Sequence, residues 1–153
     1  MPVAGLWGSD IPERSGLKTV RDPYSGAEVY VVPALRPDWA VLHVHEADAQ
    51  GNARVYGSPF WDRSMSRAAR QVIITAERIV DSAAFARQPE LTLVPHFLVA
   101  AVAHVPNGAW PAACFPEYDV DHEAVRAYLA AVREPDGLRA HLTLAGNAAV
   151  GAR

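Results

Sequence analysis

The chain has 153 residues, half of them hydrophobic (50%) and a fifth charged (20%), a balance that suits one compact domain and excludes wholesale disorder. A net charge of -3 and a pI near 6.0 lack the basic footprint of a nucleic-acid binder. Cys114 is the only cysteine, which excludes an internal disulfide and a multi-cysteine zinc centre and fits a reducing compartment. No apolar run approaches the roughly 18 residues a membrane span needs. The N-terminus has neither a basic start nor a long apolar stretch, so no signal peptide is expected and the expected location is the cytoplasm.

In chain order, residues 1–26 are rich in Gly, Pro and Ser and predict a loop-rich lead-in. Glu28 to Val32 is β-branched and aromatic and stops at Pro33, which predicts a strand. A second strand runs from Trp39 to about His45. Its apolar residues fall on both faces, the pattern of a parallel sheet covered by helices. Gly51-Asn52 predicts a turn. A helix capped by Asp62 follows, with Met65, Ala68 and Ala69 inward. Then come a strand at Val72 to Thr75, a short helix before Pro89, an apolar strand ended by Pro106 and a Pro-rich loop. Asp121 caps a last helix in which Val125, Tyr128, Leu129 and Val132 share one face. The tail from 134 to 153 is ambiguous. Alternating strands and helices predict an α/β fold with a mostly parallel sheet flanked by helices, organised as a single domain over 1–153.

The segment "HVHEADAQGN", residues 43–52, invites two readings. His43 and His45, two apart on a strand, point to one face and could ligate a metal. A catalytic zinc site needs a third protein ligand, and the spacing of Asp48, His96, His104 and His122 matches no metal motif. The other reading is a buried strand whose polar end runs into a turn. Ligands gather beyond the carboxyl ends of strands in open α/β sheets, so this reading places Asp48 and Asn52 near a possible site. No metal is expected. Cys114, in "WPAACFPEY", is expected to be a structural cysteine.

The order of motifs resembles the alpha subunit of family I CoA-transferases, of the glutaconate CoA-transferase type. Pro33, Ala34, Leu35, Asp38, Ala47, Asp48, Gly51, Asn52, Ala68, Ala69, Glu77, Ile79 and Val80 match in sequence. So do Pro106, Gly108, Ala109, Pro111, Tyr118, Asp119 and Asp121, and the resemblance runs over roughly residues 1 to 130. Alpha subunits of that family are longer, and their Gly-rich strand–turn has no counterpart here, so the chain resembles a partial subunit.

The resemblance implies that coenzyme A moves between an acyl-CoA and a carboxylic acid, with coenzyme A as part of the substrate and no permanently bound cofactor. It implies a beta-subunit partner carrying the nucleophilic glutamate, hence a hetero-oligomer with no nucleic acid or membrane partner. None of the glutamates here matches a nucleophile motif, so no catalytic residue is assigned, and the chain alone is expected to be inactive. Asp48, Gly51, Asn52 and Glu77 are the candidate substrate-binding or interface residues; for Glu77 a strand-end carboxylate bonded to loop amides is the competing structural role. Two alternatives stay open: the alpha subunit of a steroid ring-cleaving hydrolase acting on a CoA thioester, and a non-catalytic binding or scaffold module.

Overall fold

The computed structural model describes residues 1–134 and 136–143. Chain contacts divide it into two compact units, 1–37 and the residues from 38 onward.

The first unit holds β1 (Pro2–Val3), the short helix α1 (Ile11–Arg14), β2 (Lys18–Arg21) and β3 (Glu28–Val31). They form an antiparallel sheet in the order β1-β3-β2. The expected loop-rich lead-in is therefore partly regular. β2 escaped the sequence pattern because all four of its residues are exposed, leaving no buried alternation to read. Asp22 closes the β2–β3 turn by accepting the N–H groups of Tyr24 and Ser25 at 3.2 Å each.

The second unit is built on β4 (Trp39–Asp48), β5 (Ala53–Arg54), β6 (Gln71–Val80) and β7 (Val99–His104), ordered β5-β4-β6-β7. β4, β6 and β7 are parallel; only the two-residue β5 runs antiparallel. The crossovers carry α2 (Asp62–Ala68) and α3 (Ser82–Arg87), and α4 (His122–Ala131) follows the sheet. Residues 137–143 of the tail are helical; positions 135 and 144–153 lie outside the described residues.

The register of β4 on β6 stacks Ala40 beside Val72, Leu42 beside Ile74 and Val44 beside Ala76. This face, with Leu93 and Val94 against it, is the core. Val44, Val72 and Ile74 are wholly buried, each contributing about 1.5–3 kcal/mol by leaving water.

The opposite face differs from the expectation of a strand buried on both sides. Trp39 and Val41 are 51% and 60% exposed, and burial becomes continuous only from Val44 onward. At that end of the strands the loop 105–121 bonds to His45 and Glu77. α2 also departs from its pattern. Trp61, not Asp62, occupies the cap position, Met65 and Ala68 face outward, and Ser66 is the buried residue. Asp121 does cap α4, accepting from Ala124 N–H at 2.9 Å. The apolar stripe of α4 is half open, with Leu129 50% exposed. No helix among the described residues is long and apolar enough to cross a membrane.

Candidate functional site

At the carboxyl end of the sheet three polar constructions lie side by side. The first is the turn after β4. Asp48 is fully buried, and its Oδ1 accepts the N–H groups of Gln50, Gly51 and Asn52 at 3.0, 2.9 and 2.8 Å. Its Oδ2 accepts from Asn52 Nδ2 at 2.9 Å, and Asn52 Oδ1 in turn accepts the His96 N–H at 3.1 Å. Gly51 sits at φ 105°, and a Cβ there would stand 3.0 Å from Val99 Cβ. Burial works to raise the Asp48 pKa, but the hydrogen bonds from Asn52, from the Ser82 side chain and from the turn amides outweigh it and hold the carboxyl below its ordinary value.

The second construction centres on Glu77, near the end of β6. Its Oε1 accepts from His43 Nε2 at 2.7 Å and from the Tyr118 hydroxyl at 2.5 Å; its Oε2 accepts the Asn107 N–H at 2.7 Å. Because a carboxylate only accepts, His43 must carry its proton on Nε2. Its Nδ1 then accepts from the Thr75 hydroxyl at 2.9 Å. His104 Nε2 donates to the Glu77 carbonyl at 3.0 Å, and Tyr118 Oη accepts the Ala109 N–H at 3.0 Å. Gly108 passes so close that a Cβ would lie 2.5 Å from His43 Cε1. Burial again acts to raise the Glu77 pKa, and hydrogen bonds from Tyr118, His43 and Asn107 bring it below the usual carboxylate value. The Tyr118 hydroxyl is pushed well above its ordinary value by burial and by its bond to Glu77.

Cys114, 8% exposed, completes this cluster. Its thiol is raised first by burial and then by the charges of Glu77 and Glu117, so it stays protonated and is a poor nucleophile. A ring nitrogen of His43, a carboxylate oxygen of Glu77 and Cys114 Sγ all lie within 4.8 Å of one another.

The third construction surrounds Glu46. Its Oε2 receives Arg54 Nε at 2.7 Å and the Tyr56 hydroxyl at 2.9 Å, and its Oε1 receives Arg78 Nη2 at 3.1 Å. Burial is opposed by these three partners, which together lower the Glu46 pKa. Arg78 reaches on to Glu117 at 2.5 Å. Arg54 lies over the Phe85 ring, its guanidinium carbon 4.9 Å from the centroid. His45 sits beside them, taking the Tyr56 N–H on Nδ1 at 3.2 Å and donating from Nε2 to the Phe115 carbonyl at 2.6 Å.

The structure thus brings Asp48, Gly51 and Asn52 into one turn and places Glu77 in a separate cluster. The sequence reading named His43 only as a possible ligand or strand-end histidine and Tyr118 only as a motif match; their joint bond to Glu77, with Asn107 and the Glu46–Arg54–Arg78 group, was missed. The alignment of His43 with Thr75 on neighbouring parallel strands was the one signal that could have found them, and it needs the strand register. Beside the turn, Ala49, Gln50, Ile79 and His104 border a cleft of about 380 Å³ against the outer side of β7.

The coenzyme A transferase family model matches residues 6–104. The chain belongs to the coenzyme A transferase family. It is 32% identical to the A-type subunit of glutaconate CoA-transferase from Acidaminococcus fermentans, over 84% of this chain and 45% of that one. The crystal structure of that enzyme superposes with a TM-score of 0.84 over 92% of this chain and 50% of its own. A cholesterol ring-cleaving hydrolase IpdA subunit of Mycobacterium tuberculosis is 31% identical over 97% of this chain and 55% of its own. The structure of a variant of the decarboxylase AibA/AibB matches with a TM-score of 0.79 and 32% identity, over 94% of this chain and 53% of its own. The chain therefore spans about half the length of these relatives.

Proposed function

We propose that the chain is the alpha-type, non-nucleophile part of a cytoplasmic CoA-transferase that moves coenzyme A between an acyl-CoA and a carboxylic acid. In this reading a partner beta subunit supplies a glutamate that attacks the thioester carbonyl. A mixed anhydride forms and the CoA thiolate leaves. The thiolate then attacks the glutamyl carbonyl, releasing the first acid and leaving a glutamyl-CoA thioester. The second acid repeats the sequence in reverse and regenerates the glutamate.

The observation that carries the reading is the state of this chain's own buried glutamates. A nucleophilic carboxylate needs a free oxygen facing an open pocket with oxyanion donors beside it. Glu77 and Glu46 instead have both oxygens engaged by donors from their own fold. Their buried, ionised carboxylates serve as fasteners. Within the proposal, Asp48, Gly51 and Asn52 shape the turn that sets Ala49 and Gln50 against the cleft beside β7, where an acyl group or the partner surface is received. Glu77 holds the loop 105–121 behind it.

Ring-opening hydrolysis of a CoA thioester is the second reading, favoured by a match that runs over 97% of the chain. The test is the assembled complex supplied with an acyl-CoA and a free acid. Exchange of coenzyme A between them supports the transferase. Conversion to a ring-opened CoA thioester, with no exchange, supports the hydrolase. No activity in the complex of a proven beta subunit contradicts both.

A further inference from the structure

We propose that His43 Nε2, Glu77 Oε1 and Cys114 Sγ form a binding site for one divalent transition-metal ion of the zinc class. The three donors come from β4, β6 and the loop 105–121, all within 4.8 Å of one another. Spacing along the chain gives no sign of such a site because each donor lies on a different segment. It exists only once the loop has closed over the strand ends.

Imidazole, carboxylate and thiolate are the ligand types that a borderline-soft divalent ion takes. Bonds of about 2.0–2.3 Å place tetrahedral ligand atoms roughly 3.3–3.8 Å apart. The contact of 2.7 Å between His43 and Glu77 must therefore open by about an ångström, within the 4.8 Å that bounds all three separations.

The surroundings suit a metal centre. Thr75 stands on the far nitrogen of His43, and the Asn107 N–H holds the second oxygen of Glu77, so both ligands are oriented by partners behind them. Gly108 lies against the imidazole edge where any larger residue would push the ring away. The Tyr118 hydroxyl donates to the same Glu77 oxygen and fixes it from a further side.

Charge and protons balance. One carboxylate and one thiolate neutralise a dication, giving a buried centre with no net charge. On binding, the Cys114 S–H bond breaks, its proton goes to solvent and the sulfur lone pair goes to the metal. The imidazole proton leaves Nε2 and a proton is carried on Nδ1, where it is donated to Thr75 Oγ1. The Thr75 hydroxyl turns to the Leu42 carbonyl, 3.5 Å away. Without the ion, burial and the nearby carboxylates keep the thiol protonated; a cation reverses that balance.

The test is cobalt titration of the full chain as purified, with any subunit that accompanies it, after treatment with a chelator. Cobalt(II) reports a thiolate ligand by a near-ultraviolet charge-transfer band, and Cys114 is the only cysteine of this chain, so the Cys114→Ser sample shows whether the band belongs to it or to an accompanying subunit. One equivalent of cobalt should produce the band and release one proton, and zinc should displace it. Cys114→Ser should abolish the band, and His43→Ala should weaken binding by at least about tenfold. Far-UV circular dichroism checks that both variants fold. A folded wild-type chain that shows no thiolate band with excess cobalt overturns the proposal, whatever the variants do. So does a band at well under one equivalent, which would indicate Cys114 shared between molecules.

Discussion

Two buried carboxylates stand close together at the end of the same sheet and are satisfied in opposite ways. Asp48 is held by N–H groups two, three and four residues further along and by the side chain of Asn52. Glu77 is held by His43, Asn107 and Tyr118, which lie 34, 30 and 41 positions away. Both side chains end with lowered pKa values, so the electrostatic result is alike. The mechanical result is not. Asp48 fixes the shape of one turn, while Glu77 ties a whole loop to two strands. A local carboxylate sets geometry; a long-range one sets topology.

That contrast is sharpest under substitution. Removing the Glu77 carboxylate should cost about 3–4 kcal/mol, because three buried donors lose their acceptor together. In Glu77→Ala, urea unfolding should show the loss. Hydrogen exchange should show faster exchange at Asn107 and Ala109 with no change at Gly51. Equal acceleration at both places would mean the cluster and the turn are one cooperative unit.

Asp48→Ala should give the reverse pattern, at about 2 kcal/mol. Exchange at Gln50, Gly51 and Asn52 should accelerate while Asn107 stays protected. Unchanged exchange at Gly51 would show that the turn holds without its carboxylate.

Acid should weaken both regions in the same direction. Glu77, Asp48 and Glu46 all have folded pKa values below their ordinary 4.5, 3.8 and 4.5. Their contribution is therefore complete above those ordinary values and is lost as pH falls through the lower folded ones. Urea midpoints measured from pH 7 downward should stay level to about pH 5 and then decline. In Glu77→Gln the decline should be shallower, since one titrating fastener is gone. A slope identical to wild type would remove Glu77 from the acid response.

The smallest effect belongs to Asn52→Ala, which loses the bond to Asp48 and the acceptor for the His96 N–H, about 1–2 kcal/mol in urea unfolding. In the assembled complex this variant should also lower the rate. An unchanged rate with unchanged assembly would exclude the turn from the functional surface.

The same division between local and distant partners explains what could be read without a structure. The Ala-Asp-x-x-Gly-Asn segment was legible as a turn because the backbone N–H groups and the Asn52 side chain that hold Asp48 lie within it. The apolar runs of β4, β6 and β7 were legible as strands from their composition, although only β4 and β6 bury a face and β7 has no buried residue. The stretch just before that turn was not: His45 and Glu46 continue the strand although they are polar, and Arg54, Tyr56, Arg78 and Phe115 that satisfy them are scattered along the chain. Trp39 and Val41 misled in the other direction, since an apolar residue on a strand is read as buried and here is exposed. Glu77 could be named as a strand-end carboxylate, but its bond to His43 depends on a parallel register that no short motif encodes.

The central claim is that this chain shapes a CoA-transferase site without supplying its nucleophile. The direct measurement is to load the assembled complex with an acyl-CoA, trap the enzyme glutamyl-CoA thioester with borohydride and locate the reduced glutamate by peptide mass spectrometry. The label should fall on the partner subunit, with all eight glutamates of this chain unmodified and no label in the chain alone. Reduction at Glu77, Glu46 or any other glutamate of this chain would contradict the account.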